Sequence, residues 1–275
     1  MAKLSPVGAA RSYFRKYPLA PRYRPEESLT LTAADGTRLC GARITGPASA
    51  PATVVLVHGF VNWSRTPNVH AFAQMLAQRV DVVVPDLRGH GRSGGLCTLG
   101  RDEPLDVAAA VAACDPDKPV VTAGISLGGA AVLMHAGRFR GSVAGVVAIS
   151  SPAFWGGIGT AGASQVERWI GTARGRLVLR TLLRTRLAGG CPEIPDASEL
   201  APRIAPAFTV IVADPHDWYF GPEHPDRLYR SAAEPKELWW YPGGGHGTDL
   251  LTADLAARLL ATVEARVAAP PQPAE

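Results

Sequence analysis

The 275-residue sequence predicts an α/β protein in which helices cover both faces of a mostly parallel sheet. Three observations carry that expectation. Short β-branched apolar runs alternate with stretches of helical period. Those runs are continuous, as strands buried on both faces require. Hydrophobic residues make up 47% of the chain and charged residues only 19%, with 29 glycines and 24 prolines to turn it. That composition fits one large globular unit and excludes a disordered chain, which needs few apolar residues and high net charge.

Residues 28–33 alternate Leu with Thr, Ala34-Asp35-Gly36 supplies turn chemistry, and 37–45 alternate again, so the chain opens on a β-hairpin. A Pro and Ala loop leads into the buried strand 53–57. Val69, Phe72, Met75 and Leu76 then share one helical face, and 81–84 form the next strand. Acids and Pro104 open a helix over 102–113. Residues 120–122 read as a strand, 127–136 as a helix and 143–149 as a strand. Further strands are expected at 210–212 and 238–240, and a long amphipathic helix over 250–267. The rhythm breaks between 150 and 208, a stretch with seven arginines that is too long for a plain crossover and should hold several short helices. A basic arm over 1–27 precedes the first strand, and a proline-rich frayed tail over 268–275 follows the last helix.

Chemistry is most concentrated at Gly124-Ile125-Ser126-Leu127-Gly128, directly after one strand and before one helix. A nucleophilic serine needs such a sharp turn to expose its hydroxyl, with small residues two positions to either side so that the backbone can close. The helix N-terminus also faces any developing anion. Serine needs a base, and the base needs a group that fixes its tautomer. Among seven histidines, His246 follows a late strand in the loop Gly243-Gly244-Gly245-His246-Gly247 and is the expected base. Two acids after strand 210–212 compete for the third place. Asp217 is favoured because it has loop enough to reach the histidine, while Asp214 before Pro215 looks like a turn initiator. The oxyanion donors are expected to be the N–H of Leu127 and that of Phe60, with Val61 the less favoured alternative to Phe60. Phe60 lies at the carboxyl end of the sheet, where open α/β folds bind ligands. Trp63, Phe154, Trp155 and Trp218 suggest an aromatic, apolar substrate pocket.

Val54 to Phe60, the run Asp86-Leu87-Arg88-Gly89-His90-Gly91-Arg92-Ser93-Gly94, the serine turn, the late aspartate and the glycine-flanked histidine together resemble the α/β-hydrolase superfamily. The wording is closest to its serine-aminopeptidase and monoacylglycerol-lipase-like branch. The resemblance implies the α/β-hydrolase fold, with an eight-stranded sheet formed by 28–152 and 207–267 and a helical cap inserted after strand 6, over 153–206. It also implies that 86–93 is a structural turn, so Asp86 and His90 are not counted as catalytic. One departure stands out: Ala213-Asp214 occupies the place where such proteins often carry His-Gly.

The expected function is a cofactor-independent serine hydrolase acting on an ester or thioester with an apolar acyl or aromatic part. Alternatives are C–C cleavage, cyclisation, acyl transfer or peptide hydrolysis by the same three groups, or a binding protein without turnover. Gly157 to Gly162 matches G-x-G-x-x-G but does not open the first strand–helix unit, so no dinucleotide is expected. His216 with its two aspartates lacks a metal motif, and no metal is expected. The pI near 9.0 comes without a base-reading motif, so nucleic acid is not an expected partner. Four scattered cysteines, and an N-terminus without the apolar core of a secretory leader, lead us to expect a soluble, cytoplasmic protein. The basic amphipathic stretch 176–184 reads as a cap helix over the pocket, with transient lipid contact as the alternative to plain solvation.

Overall fold

The computed structural model describes residues 27–156, 160–189 and 194–268. The basic arm before residue 27, Gly157 to Gly159 of the glycine motif, Cys191 and the tail after residue 268 lie outside them.

Eight strands form one sheet in the order β1-β2-β4-β3-β5-β6-β7-β8. They are β1 (Glu27–Thr32), β2 (Arg38–Ile44), β3 (Thr53–Val57), β4 (Asp81–Pro85), β5 (Val120–Ile125), β6 (Gly145–Ile149), β7 (Phe208–Ala213) and β8 (Lys236–Trp240). The hairpin β1–β2 runs antiparallel, β2 joins β4 antiparallel, and every later pairing is parallel. After β3 the chain goes to β4 on one side and then returns to β5 on the other. The carboxyl ends of β3 and β5 therefore flank the point where strand order reverses, the place where open sheets of this kind bind ligands.

Alternate residues of each strand feed two cores, because successive side chains point to opposite faces. Val54, Leu56, Val82 and Val84 meet α1 (Pro67–Leu76) through Val69, Phe72 and Leu76, and α8 (Ala253–Ala268) through Leu255, Leu259 and Val263. Val55, Val57 and Val83 meet α2 (Glu103–Ala112) and α3 (Leu127–Arg138) on the opposite face. Residues 127–137 of α3 are all buried, which explains why its sequence is apolar on every side. Each fully buried large apolar side chain contributes about 1.5–3 kcal/mol.

The long insertion folds as several short helices, in two parts. Helices α4 (Ala161–Gly171) and α5 (Ala173–Leu182) pack on each other and bury little else. The chain after α5 then docks on the turn that follows β4: Thr185 pairs with His90, and Arg186 N–H donates to Gly89 O at 2.8 Å. The second part, α6 (Ala197–Leu200) and the 3-10 turn Ala201–Arg203, packs directly on α3. That part of the 153–206 stretch therefore belongs structurally to the helical layer of the sheet.

Three expectations need correction. Helix α7 (Glu223–Ser231), between β7 and β8, is absent from the sequence reading, because only His224, Pro225 and Leu228 of its nine residues are buried. The final helix begins at Ala253, after a 3-10 turn at Gly247–Leu250. Strands β5, β7 and β8 are longer than the apolar runs that announce them.

Candidate active site

Ser126 is the turning point between β5 and α3, with φ 53° and ψ −115°. A non-glycine residue there is held by its surroundings against its own preference. Its N–H donates to Ile149 O at 2.8 Å, and its carbonyl accepts from Ala130 N–H at 3.1 Å. The flanking glycines are required by close approach. A Cβ on Gly124 would strike the Gly128 carbonyl, and one on Gly128 would strike the carbonyls of Val57 and His58. A Cβ on Gly59 would lie 3.1 Å from Ile125 O and 3.3 Å from the Ser126 Cβ, so the loop after β3 runs against the serine turn.

His246 reaches this turn from the loop after β8. Its Nε2 lies 3.1 Å from Ser126 Oγ. Its Nδ1 lies 2.7 Å and 3.0 Å from the two carboxylate oxygens of Asp217. A carboxylate accepts, so Nδ1 carries the proton and Nε2 is left as the acceptor facing the serine. The Asp217 side chain is 2% exposed and that of His246 18%. Asp217 also accepts from the N–H groups of Tyr219 and Phe220, at 2.8 and 3.2 Å. That turn wraps two rings around the imidazole: Tyr219 at 4.5 Å and Phe220 at 5.5 Å between centroids. Asp214, the competing acid, does not meet His246. Its carboxylate accepts from Gly245 N–H at 2.7 Å and His216 N–H at 2.8 Å.

Leu127 is the first residue of α3, so its N–H has no acceptor within the helix. Phe60 follows Gly59 on the loop against Ser126, and its ring meets His90 edge-on at 5.8 Å. The aromatic residues expected to line a pocket are split. Trp63 is 6% exposed, with the guanidinium groups of Arg65 and Arg184 over its ring at 5.9 and 5.4 Å. Phe154 stacks on His224 at 4.1 Å and lies under Arg227. Trp155 is partly buried against the second core, beside Gly100. Trp218 is 53% exposed and stands against Gly162 of α4.

Of the remaining histidines, His58 and His90 are buried around the turn after β3. His58 Nε2 accepts from Leu87 N–H at 2.9 Å while Nδ1 donates to Gly59 O at 2.8 Å, which fixes the turn after β3. Burial pushes its pKa down. Burial first, and then the neighbouring His58, push His90 down to about 3. Asp86 accepts from Ser64 N–H at 2.8 Å and Arg92 N–H at 3.2 Å, pinning two loops together. His216 has an 82% exposed side chain. Among the described residues no group of three His, Cys, Asp or Glu side chains is arranged to hold a metal ion, and no helix is long and apolar enough to cross a membrane.

Sequence reasoning did not single out Phe220 or Ser150, nor the contact of Asp214 with the histidine loop. The aromatic run Trp218-Tyr219-Phe220 directly after the acid is the signal that could have found the clamp on the imidazole.

Comparison with known proteins places this geometry in context. A sequence profile of the alpha/beta hydrolase family matches residues 54–267. The chain is similar to the lipase LipV of Mycobacterium tuberculosis, 35% identical over 108 residues; the match spans 39% of this chain and 40% of that protein. Among solved structures, the Pyrococcus furiosus esterase Pf2001 superposes with a TM-score of 0.71 at 17% identity, covering 90% of this chain and 97% of that one. A monoacylglycerol lipase of Paleococcus ferrophilus superposes with a TM-score of 0.61 at 20% identity, covering 84% and 98%. At these identities the likeness to the solved structures is one of fold.

Proposed function

Because the chain belongs to the alpha/beta hydrolase family, we propose that it is a serine hydrolase of the esterase and lipase type. Its proposed substrate is an ester or thioester with an apolar acyl or aromatic part, cleaved through an acyl-enzyme without a cofactor. The observation that carries this reading is the single hydrogen-bonded line from Asp217 through His246 to Ser126, with 2.7 Å and 3.1 Å at its two joints.

His246 Nε2 takes the Ser126 proton as Oγ attacks the carbonyl carbon, and Asp217 stabilises the imidazolium that results. The tetrahedral oxyanion is met by the N–H groups of Leu127 and Phe60, reinforced by the positive end of α3. His246 then returns the proton to the departing alkoxide or thiolate, leaving an acyl group on Ser126. Water activated by the same nitrogen releases the acid and restores the serine. Tyr219 and Phe220 limit the swing of the ring between these steps.

Trp218, exposed directly after the acid and standing against Gly162 of α4, supports an apolar acyl or aromatic part. Hydrolysis of a short nitrophenyl ester by the wild-type chain and by Ser126→Ala tests the reading. Loss of turnover by at least ~10⁴-fold is expected; full activity in the variant would overturn it.

A further inference from the structure

The loop that carries His246 is poor at holding it. Gly243, Gly245 and Gly247 all have positive φ, at 80°, 82° and 58°, and glycine has more backbone freedom to lose than any other residue. Asp217 grips the ring only at Nδ1, and although Asp249 N–H donates to the His246 carbonyl at 3.1 Å, the peptides on either side of it need fixing as well.

The two peptide N–H groups that flank His246 both end on buried side chains. Gly245 N–H donates to Asp214 Oδ2 at 2.7 Å. Gly247 N–H donates to Ser150 Oγ at 3.0 Å. The two acceptors come from neighbouring strand ends, Ser150 just past β6 and Asp214 just past β7, and are 3% and 2% exposed. Each is itself fixed. Ser150 adopts φ 48°, and its N–H donates to Val212 O at 2.8 Å. Asp214 Oδ1 holds His216 N–H at 2.8 Å, while its carbonyl accepts from Asp217 N–H at 3.1 Å. One residue thus fastens both the turn that presents the acid and the loop that presents the base.

We propose that Asp214 and Ser150 are positioning residues that clamp His246 from its two sides; the proposal rests on the hydrolase reading above. Neither touches Ser126 or the reacting carbonyl. Their effect is on geometry: a base must sit within a few tenths of an ångström of its productive place, and a shift of about 1 Å can cost about 10²-fold. The clamp also explains why aspartate stands at 214, where the resemblance leads one to expect glycine. A glycine there would leave the Gly245 N–H without its acceptor.

The test uses Asp214→Ala, Asp214→Asn and Ser150→Ala in the full chain, with a short nitrophenyl ester as substrate. For Asp214→Ala, kcat should fall on the order of 10- to 100-fold with KM within about twofold. Asp214→Asn, which keeps one acceptor oxygen, should lose less, and Ser150→Ala should lose less than Asp214→Ala. The downfield proton NMR signal of His246 Nδ1–H against Asp217 should be sharp in the wild type and broadened or lost in Asp214→Ala. Should Asp214→Ala fail to fold, Asp214→Asn and Ser150→Ala carry the test by the same criteria. Wild-type kcat in these variants, a loss confined to KM, or a fallen kcat with the Nδ1–H signal unchanged would overturn the clamp. Ser126→Ala is the control: if it retains activity the hydrolase reading itself fails, whereas an inactive Ser126→Ala beside fully active clamp variants defeats the clamp alone.

Discussion

The strand ends that carry Ser126, Asp217 and His246 and the helical insertion over 160–189 touch one another, yet they are built on opposite terms. Strands β3 and β6 are buried at every position, and α3 behind them exposes nothing before its last residue. In the insertion, α5 buries only Gly175 and Leu179, while Trp169, Leu177 and Leu182 are among the exposed large apolar residues. The insertion is joined mainly through its last residues: Thr160 Oγ1 donates to Tyr219 O at 2.7 Å, whereas 184–188 share four backbone hydrogen bonds and one from the Arg186 side chain with 89–97. The lesson is a division of labour. Ser126, Asp217 and His246 sit where backbone sterics and strand pairing leave one arrangement, and α4 and α5 beside them bury little of their own surface.

That comparison can be broken at the core first. Asp217→Asn keeps the shape of the acid but no longer favours the tautomer with the proton on Nδ1, so kcat on a nitrophenyl ester should fall by about 10⁴-fold. A loss below tenfold would take the acid role from Asp217. Gly128→Ala drives a Cβ into the Val57 and His58 carbonyls, and overpacking of this kind costs about 3 kcal/mol. Chemical denaturation should show that loss, with activity falling in step; wild-type stability would mean that the serine turn can yield.

A smaller effect should come from acid. Burial pushes His90 down to about 3 and His135 to about 4, and lowers His224 as well. Unfolded, these imidazoles take a proton near pH 6.5. Their contribution is fully present above that pH and is lost as pH falls toward the folded values; for His90 and His135 the loss is about 1.4 kcal/mol each by pH 5.5. Calorimetry between pH 7 and 5 should record a falling Tm, and His135→Leu should flatten that slope. An unchanged slope would contradict the assignment. The smallest effect belongs to the insertion. Leu177 is 60% exposed, so Leu177→Ser should shift stability by no more than about 0.5 kcal/mol. A larger loss would show that the insertion is packed like the core.

What was legible in the sequence follows the same divide. Strand β3 is announced by an unbroken β-branched run because both its faces are buried, and Ser126 by glycines that sterics demand. Strand β8 opens with Lys236 and Glu237 because it lies at the sheet edge, where charge is tolerated; only its apolar end could be read. Helix α7 is polar on most of its surface and left no apolar run to find. Asp217 could be preferred to Asp214 from loop length and from the turn chemistry of Asp214-Pro215. What Asp214 does instead depends on Gly245, thirty-one residues away in the chain, and no local pattern encodes that contact. Trp63 reads from the sequence as a pocket residue, and its burial against Gly91 and under the guanidinium groups of Arg65 and Arg184 could not be read from it.

The central claim is that Ser126 is the nucleophile, activated by His246. A fluorophosphonate probe reacts with an activated serine and leaves a covalent adduct that peptide mass mapping can place. One adduct per chain on the peptide holding Gly124 to Gly128, localised to Ser126, and slowed in His246→Ala, is the result expected. An adduct on another residue, or labelling of Ser126 at an unchanged rate without His246, would contradict the account.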